Sequence, residues 1–161
     1  AMKLLINENI SLSVYGESPF GFEGYDEMLK VKVKECGLEK IIEFKGFADQ
    51  KQKERAFLNA DVCIVPSYSE NFCNVVAEAL SYEVPVIVSK GVPWGRVEEK
   101  CCGLWVDNTP NSLVDAISEM RSMNLKDMGS RGRKWMQEEY GWEAVADRFK
   151  DLYIDLVNHM Q

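Results

Sequence analysis

The feature that most constrains the fold of this chain is a regular alternation of short β-rich runs with amphipathic helical segments. Two of the runs, DVCIVPS at 61–67 and VPVIVSK at 84–90, are continuous and apolar, which is typical of parallel strands covered on both faces. Three further strands are predicted at SLSVYG (11–16), KIIEFKG (40–46) and CGLWVD (102–107).

Helices are predicted between the strands and after the last of them. Asp49 is a suitable N-cap for one of them, and Gly37 a suitable end for another. The predicted helices cover 24–38, 49–60, 74–82, 94–100, 111–123, 125–140 and 142–160. Strands that alternate with helices imply right-handed crossovers, so the sequence predicts an α/β fold with a doubly wound parallel sheet, around which the last helices wrap.

The length of 161 residues predicts one domain with a sizeable core. The first residues, AMKLLINEN, are typical of the tail of a helix with no strand before it. We therefore expect 1–161 to be a single Rossmann-like domain that is truncated at its N-terminus and belongs to a larger protein.

Composition excludes several classes of protein. No apolar run approaches about 18 residues, and the N-terminus lacks a basic region followed by an apolar one, so we expect a cytoplasmic protein without a membrane span or signal peptide. A net charge of -7 argues against a broad nucleic-acid surface, although backbone amides can still hold a small anionic ligand. With five cysteines, no CxxC pair and one histidine, we expect reduced thiols and no metal site.

Two acids flank the predicted start of the helix that follows the strand at 61–67. The stretch PSYSENFCNVVAEAL, 66–80, places Glu70 and Glu78 eight positions apart. Ligands of open α/β sheets bind outside the carboxyl ends of the strands, where helices begin. The predicted amide donors at this helix start, suited to a diphosphate, are those of Asn71, Phe72, Cys73 and Asn74.

Glu78 lies four residues after Asn74 and shares its helix face. A carboxylate there can accept hydrogen bonds from the vicinal hydroxyls of a ribose. The alternative is an ordinary helix, in which an acid complements the dipole or is simply solvated. The residues alone leave both interpretations open.

Gly91 and Trp94 follow the strand at 84–90, at the same edge of the sheet as the two acids. The indole ring of Trp94 offers a broad apolar face to a base or a sugar. Packing of that ring against the short helix at 94–100 is the equal alternative.

The order and spacing of these segments resemble the donor-binding half of retaining glycosyltransferases with two Rossmann-like domains, the GT-B architecture, and in particular family 4 with its E-x7-E motif. The segments that carry the resemblance are LSVYGESPFGFEGYDEMLKVKVKECGLEKIIEFKGF, LNADVCIVPSYSENFCNVVAEALSYEVPVIVSKG, CGLWVDNTPNSLVDAI and WEAVADRFKDLY. KGVPW also resembles a loop found in a subset of family 4 from bacterial surface-polysaccharide synthesis.

The resemblance implies a role for each matching residue. Glu78 would hold the nucleotide ribose, and Glu70 would lie near the donor sugar and the reacting centre. The amides of Phe72, Cys73 and Asn74 would contact the diphosphate, and backbone atoms of Gly46 and Phe47 would line the base pocket. The implied substrate is a UDP- or GDP-sugar, the transfer retains anomeric configuration, and neither cofactor nor metal is required.

The chain departs from the family pattern in several places. Cys73 stands where a glycine is usual, and Arg96 where a glutamate is common; either change is expected to weaken binding or shift the donor preference. No G-R-x-x-x-K-G-like diphosphate clamp occurs, and the acceptor-binding domain is absent, so we expect this chain alone to be inactive. Any membrane contact would come through the full-length protein.

A second class of function stays open, namely a non-catalytic α/β module that binds a nucleotide or a partner. A degenerate transferase is one form of it, because of Cys73. A receiver domain is disfavoured, because no paired acidic strand end occurs near the start of the chain.

Overall fold

The structure is a computed structural model that describes residues 1–18 and 21–159. The five predicted strands are all present, in the predicted order. They are β1 (Leu12–Tyr15), β2 (Ile42–Gly46), β3 (Cys63–Val65), β4 (Val86–Ser89) and β5 (Gly103–Val106).

The predicted helices also occur in their predicted order. They are α1 (Tyr25–Glu35), α2 (Gln50–Leu58), α3 (Asn74–Ser81), α4 (Arg96–Glu99), α5 (Pro110–Met120), α6 (Leu125–Tyr140) and α7 (Trp142–His159). The predicted end of the last helix, at Met160, lies outside the described residues. The expected helix tail at the N-terminus is a short 3-10 helix at Met2–Leu5.

Local sequence signals explain where two of these helices begin and end. Asp49 caps α2 as predicted, because its carboxylate accepts from the N–H of Gln52. The Oε1 of Gln52 accepts in return from the N–H of Asp49, which completes a capping box. At the end of α1, the N–H of Leu38 bonds to the carbonyl of Val33 and that of Gly37 to the carbonyl of Lys34. This paired pattern is the Schellman motif.

All strand pairs are parallel, and the α/β class is confirmed, but the hydrogen-bonded ladders fall into two sets. One set joins β1 to β2, and the other joins β3, β4 and β5 in that order. Burial differs between the sets: residues of β1 and β2 alternate between half-buried and exposed, whereas all four residues of β4 are buried. The sequence predicts one sheet, whereas in the described residues no ladder connects the two sets.

The central strand β4 shows that the sheet is covered on both faces. Val86 and Val88 pack in a core with α3, α4 and α6, whereas Ile87, between them, packs in a second core with α5. This alternation is what helices on both faces of a sheet require. In the part of the chain described, no helix combines the length and apolar character needed to cross a bilayer.

Of the C-terminal helices, α7 lies outside this layered core, as predicted for the last helices, whereas α6 contributes Trp135 and Met136 to the core. Helix α6 packs on α3, and α7 packs on α6 without burying any of its own described residues.

Candidate functional site

The candidate site surrounds the start of α3, at the carboxyl end of β3. The strand ends at Val65 and the helix begins at Asn74, with Cys73 as its N-cap and no side-chain cap on the first turn. Asn71 and Phe72 therefore lie in the turn before the helix. Of the predicted amide donors, only those of Cys73 and Asn74 belong to the helix start. Val75 joins them, because it is the second helical residue. Its N–H is a helix-start donor that the sequence analysis did not name.

Cys73 adopts the left-handed backbone conformation, with φ of 66°. L-residues with a Cβ pay a steric cost in that region, which explains why glycine suits the position. The thiol is half-buried, and burial foremost, with the nearby charge of Glu70, raises its pKa. Cys73 is thus a neutral side chain placed directly at the helix start.

Glu70 is exposed and is held at both its backbone and its side chain. Its N–H donates to the carbonyl of Gly91 over 3.2 Å, and the Ser67 hydroxyl donates to its carboxylate over 2.7 Å. Ser67 in turn accepts, through its backbone carbonyl, a hydrogen bond from the buried Ser89 hydroxyl. The loop that carries Glu70 is therefore fastened to the end of β4.

Gly91 allows this fastening because its backbone approaches the loop closely. A Cβ at Gly91 would lie 2.2 Å from the carbonyl oxygen of Tyr68. No side chain can occupy that space, so the position of Glu70 depends on the absence of a Cβ at Gly91.

Glu78 lies one turn into α3, and its carboxylate is half-buried. The ammonium of Lys53 donates to both of its oxygens, over 2.8 and 3.0 Å. The nearby Cys63 thiol has its pKa raised to about 12, mainly by burial and then by Cys73 and Glu78, so it stays protonated and neutral beside the acid. Sequence reasoning missed Lys53, which is 25 residues away and shows no motif of its own.

Gly46 and Phe47 lie at the end of β2, in the other set of strands. Gly46 has φ of 68°, and its carbonyl accepts from the N–H of Gly16 over 2.9 Å. Phe47 is 67% exposed. This strand end connects to the helix start through α2, which follows Phe47 and carries Lys53.

Trp94 is 3% exposed, so its ring packs inside the protein and offers no face to a ligand. Its indole N–H donates to the carbonyl of Phe72, and its ring lies 5.1 Å from that of Phe72 and 5.4 Å from those of Trp135 and Tyr140. Of the two alternatives that the sequence left open, stacking on a ligand and packing, the structure has packing. Trp94 supports the turn before α3 from within the core.

Arg96, the second departure from the family pattern, pairs with α6. Its guanidinium donates to both carboxylate oxygens of Glu139, over 2.6 and 2.9 Å, and Lys100 adds a third bond of 2.9 Å. Arg96 foremost, and Lys100 after it, hold the pKa of Glu139 well below its ordinary value. The arginine thus has a structural partner on α6. Its effect on donor preference remains a prediction.

Fold and site together define a parallel α/β domain with a loop and an uncapped helix start at a strand end. Residues 1–135 match the family model described as glycosyl transferases group 1, and the chain belongs to that family. The predicted glycosyltransferase architecture is confirmed at this level, whereas the assignment to family 4 and its E-x7-E motif remains a prediction.

Individual relatives agree with this assignment. A D-inositol 3-phosphate glycosyltransferase of Corynebacterium glutamicum is 29% identical over 161 residues, covering 94% of this chain and 37% of that protein. Sucrose-phosphate synthase from Thermosynechococcus elongatus superposes with a TM-score of 0.78 at 28% identity, covering 98% of this chain and 41% of that one. HepE of Anabaena, solved in complex with UDP, superposes with a TM-score of 0.79 at 17% identity, covering 91% of this chain and 41% of that one. At this identity the likeness is one of fold. The chain spans about a third of the length of the curated relatives it matches.

Proposed function

We propose that this chain is the C-terminal, donor-binding half of a retaining glycosyltransferase of family 4. The full-length protein would transfer a sugar from a UDP- or GDP-sugar to an acceptor, in bacterial surface-polysaccharide or glycoconjugate synthesis. The observation that carries the proposal is the start of α3, which has no side-chain cap and is flanked by Glu70 and Glu78.

The diphosphate would bind at this helix start. The amides of Phe72, Cys73 and Asn74, with Val75 added from the structure, would donate to its oxygens, and the helix dipole favours the negative charge. Such a site needs few cations, which agrees with a chain of net charge -7. The UDP complex of HepE supports a nucleoside diphosphate as ligand.

The nucleoside would extend from the helix start toward α2. Glu78 would accept hydrogen bonds from the ribose hydroxyls, and backbone atoms of Gly46 and Phe47 would line the base. Lys53, which bonds to Glu78 from the helix that follows Phe47, supports this connection between the two strand ends.

The donor sugar, with its reacting anomeric carbon, would lie near Glu70. In the proposed transfer the acceptor oxygen attacks the anomeric carbon on the face that the diphosphate leaves, so the configuration is retained. Helix amides stabilise the charge of the leaving diphosphate, and no step requires a metal or a cofactor. The acceptor would bind to an N-terminal domain outside this chain, so the chain alone would be inactive.

We place this activity in the cytoplasm, with membrane contact only through the full-length protein. No nucleic-acid partner is proposed.

The first test is saturation-transfer NMR of the chain with UDP, GDP and ADP at millimolar concentration. We expect transfer to at least one nucleotide in the wild type, and its loss in Glu78→Ala. Glu119→Ala, which removes an exposed acid from α5, is the matched control and should retain the signal. Silence of the wild type with every nucleotide would overturn the proposal.

The alternative of a non-catalytic nucleotide- or partner-binding module rests on Cys73. Its side chain stands at the helix start in a backbone conformation that favours glycine. In that case, we expect the full-length protein to bind a nucleotide and to transfer no sugar. An assay of donor turnover by the full-length protein distinguishes this alternative from the transferase.

A further inference from the structure

The ion pair between Lys53 and Glu78 joins two helices that belong to different sets of strands. Lys53 comes from α2, which follows β2, and Glu78 from α3, which follows β3. One ammonium donates to both carboxylate oxygens, over 2.8 and 3.0 Å. The side chains are 36% and 37% exposed, so the pair lies at the surface of the site and can be reached by a ligand.

The bonds from Lys53 leave a defined set of acceptors on Glu78. An ionised carboxylate has about four lone-pair sites, two on each oxygen. The ammonium takes one site on each oxygen, so each oxygen keeps one for another donor. Two acceptors on two neighbouring oxygens match the two donors of a vicinal diol.

We propose that Lys53 is a positioning residue that makes Glu78 discriminate ribose from 2′-deoxyribose in the bound nucleoside diphosphate. This inference rests on the proposed function, in which Glu78 binds the ribose. A carboxylate fixed by Lys53 offers one oxygen to each hydroxyl. A deoxyribose then leaves one oxygen without its donor, and a desolvated unpaired acceptor is costly.

Without Lys53 the carboxylate is free to turn. It can then direct either oxygen, or both, at the single hydroxyl of a deoxyribose, and the cost of the missing hydroxyl falls. The lysine would thus act on specificity for the sugar of the nucleotide more than on affinity as such.

The other interpretation of this pair is a plain surface salt bridge, and the two interpretations predict different results. A half-exposed pair contributes little to stability. The ring of Phe57 in α2 stays stacked on that of Tyr82, the C-cap residue of α3, with the centroids 5.6 Å apart and the planes inclined by 20°. Loss of Lys53 should therefore leave the chain folded. A purely structural salt bridge gives no reason for a change in the ratio of the affinities for ribo- and deoxynucleotides.

The test is an NMR titration of the chain with UDP, GDP and ADP, each beside its 2′-deoxy form. We expect the wild type to prefer the ribonucleotide by about tenfold, the size of one hydrogen bond to a charged group. In Lys53→Met the preference should fall to about twofold or less. Lys53→Arg, whose guanidinium also donates to both oxygens of a carboxylate, should keep most of it.

Lys51→Met is the matched control, because it removes an exposed lysine from the same helix and should keep the wild-type preference. An unchanged preference in folded Lys53→Met would overturn this inference while leaving the proposed function in place. Failure of the wild type to bind any nucleoside diphosphate would overturn the proposed function, and the inference with it.

Discussion

The indole N–H of Trp94 donates to the backbone carbonyl of Phe72, so a buried tryptophan holds the turn from which α3 begins. Trp94→Phe keeps an aromatic ring and removes the donor. We expect the free energy of unfolding to fall by about 1–3 kcal/mol, because the carbonyl loses its partner. Affinity for a nucleoside diphosphate should fall by about tenfold, because the helix-start amides shift with Phe72. Urea unfolding and an NMR titration measure the two effects.

A second tryptophan provides the control for this prediction. The indole N–H of Trp105 donates to the carbonyl of Val92 over 3.1 Å, and that carbonyl lies outside the turn before α3. Trp105→Phe should reduce stability less than Trp94→Phe does, because the Val92 carbonyl keeps a hydrogen bond from the backbone N–H of Trp94, and it should leave nucleotide affinity unchanged. Equal losses of affinity in both variants would mean that the Trp94 bond has no specific role at the site.

Gly91→Ala should displace the loop that carries Glu70. The added Cβ would meet the Tyr68 carbonyl oxygen at 2.2 Å, and backbone cannot yield as a flexible side chain can. We expect a stability loss of about 1–3 kcal/mol, together with shifted amide resonances for residues 67–70. Gly95→Ala is the control, since its Cβ would meet the Trp105 ring at 3.4 Å, an ordinary contact. Unshifted resonances for 67–70 in Gly91→Ala would contradict the close packing of this loop.

Cys73→Gly should raise the affinity for nucleoside diphosphates by a few-fold, because it removes a side chain from the helix start and lets a phosphate approach the amides. Stability should change by about 1 kcal/mol or less, since relief of the left-handed strain opposes loss of the thiol's packing. Titration with UDP and GDP measures the affinity.

Cys101→Gly is the matched control, because Cys101 also has positive φ, 49°, and is exposed at the start of the segment leading into β5. Its replacement should leave nucleotide affinity unchanged. Weaker binding in Cys73→Gly would show that the thiol contributes to the site instead of crowding it.

The ion cluster of Arg96, Lys100 and Glu139 should make stability depend on pH. The folded-state pKa of Glu139 lies below its ordinary value of 4.5, so its contribution is present above that pH and is lost as the pH falls through the folded-state pKa. Glu139→Gln should therefore be less stable than the wild type near pH 7, and the difference should shrink below pH 4.5.

Thermal unfolding between about pH 7 and about pH 3 measures this difference. Lys134→Met, which removes a cation that pairs with Glu138 and not with Glu139, should keep the pH dependence of the wild type. A difference between Glu139→Gln and the wild type that stays constant with pH would contradict the role of the cluster.

The order of the elements could be predicted from the sequence because its signals are local. Apolar runs marked β3 and β4, Asp49 marked the start of α2, and Gly37 marked the end of α1. The start of the helix behind Glu70 was predicted at residue 74 for the same reason, and α3 begins there, at Asn74. Of the predicted amide donors, Asn71 and Phe72 lie in the turn before it.

Contacts between distant residues could not be predicted in this way. The sequence left open whether Trp94 packs or faces a ligand, and its burial among rings from α6 answers that question. The ion pair of Lys53 with Glu78 carries no sequence signal, because neither residue type is unusual at its position in a helix. The division of the strands into two sets likewise depends on which strand edges form hydrogen bonds with one another, and local sequence does not specify this.

The alternation of strands and helices is written in the sequence, and with it the sheet edge to which Glu70 and Glu78 belong. The partners that hold those acids in place become visible only in the folded chain: Gly91 and Ser67 for Glu70, and Lys53 for Glu78. The difference is one of range along the chain. Strand and helix patterns depend on neighbours a few residues away, whereas these hydrogen bonds form between segments that only the packed core brings together.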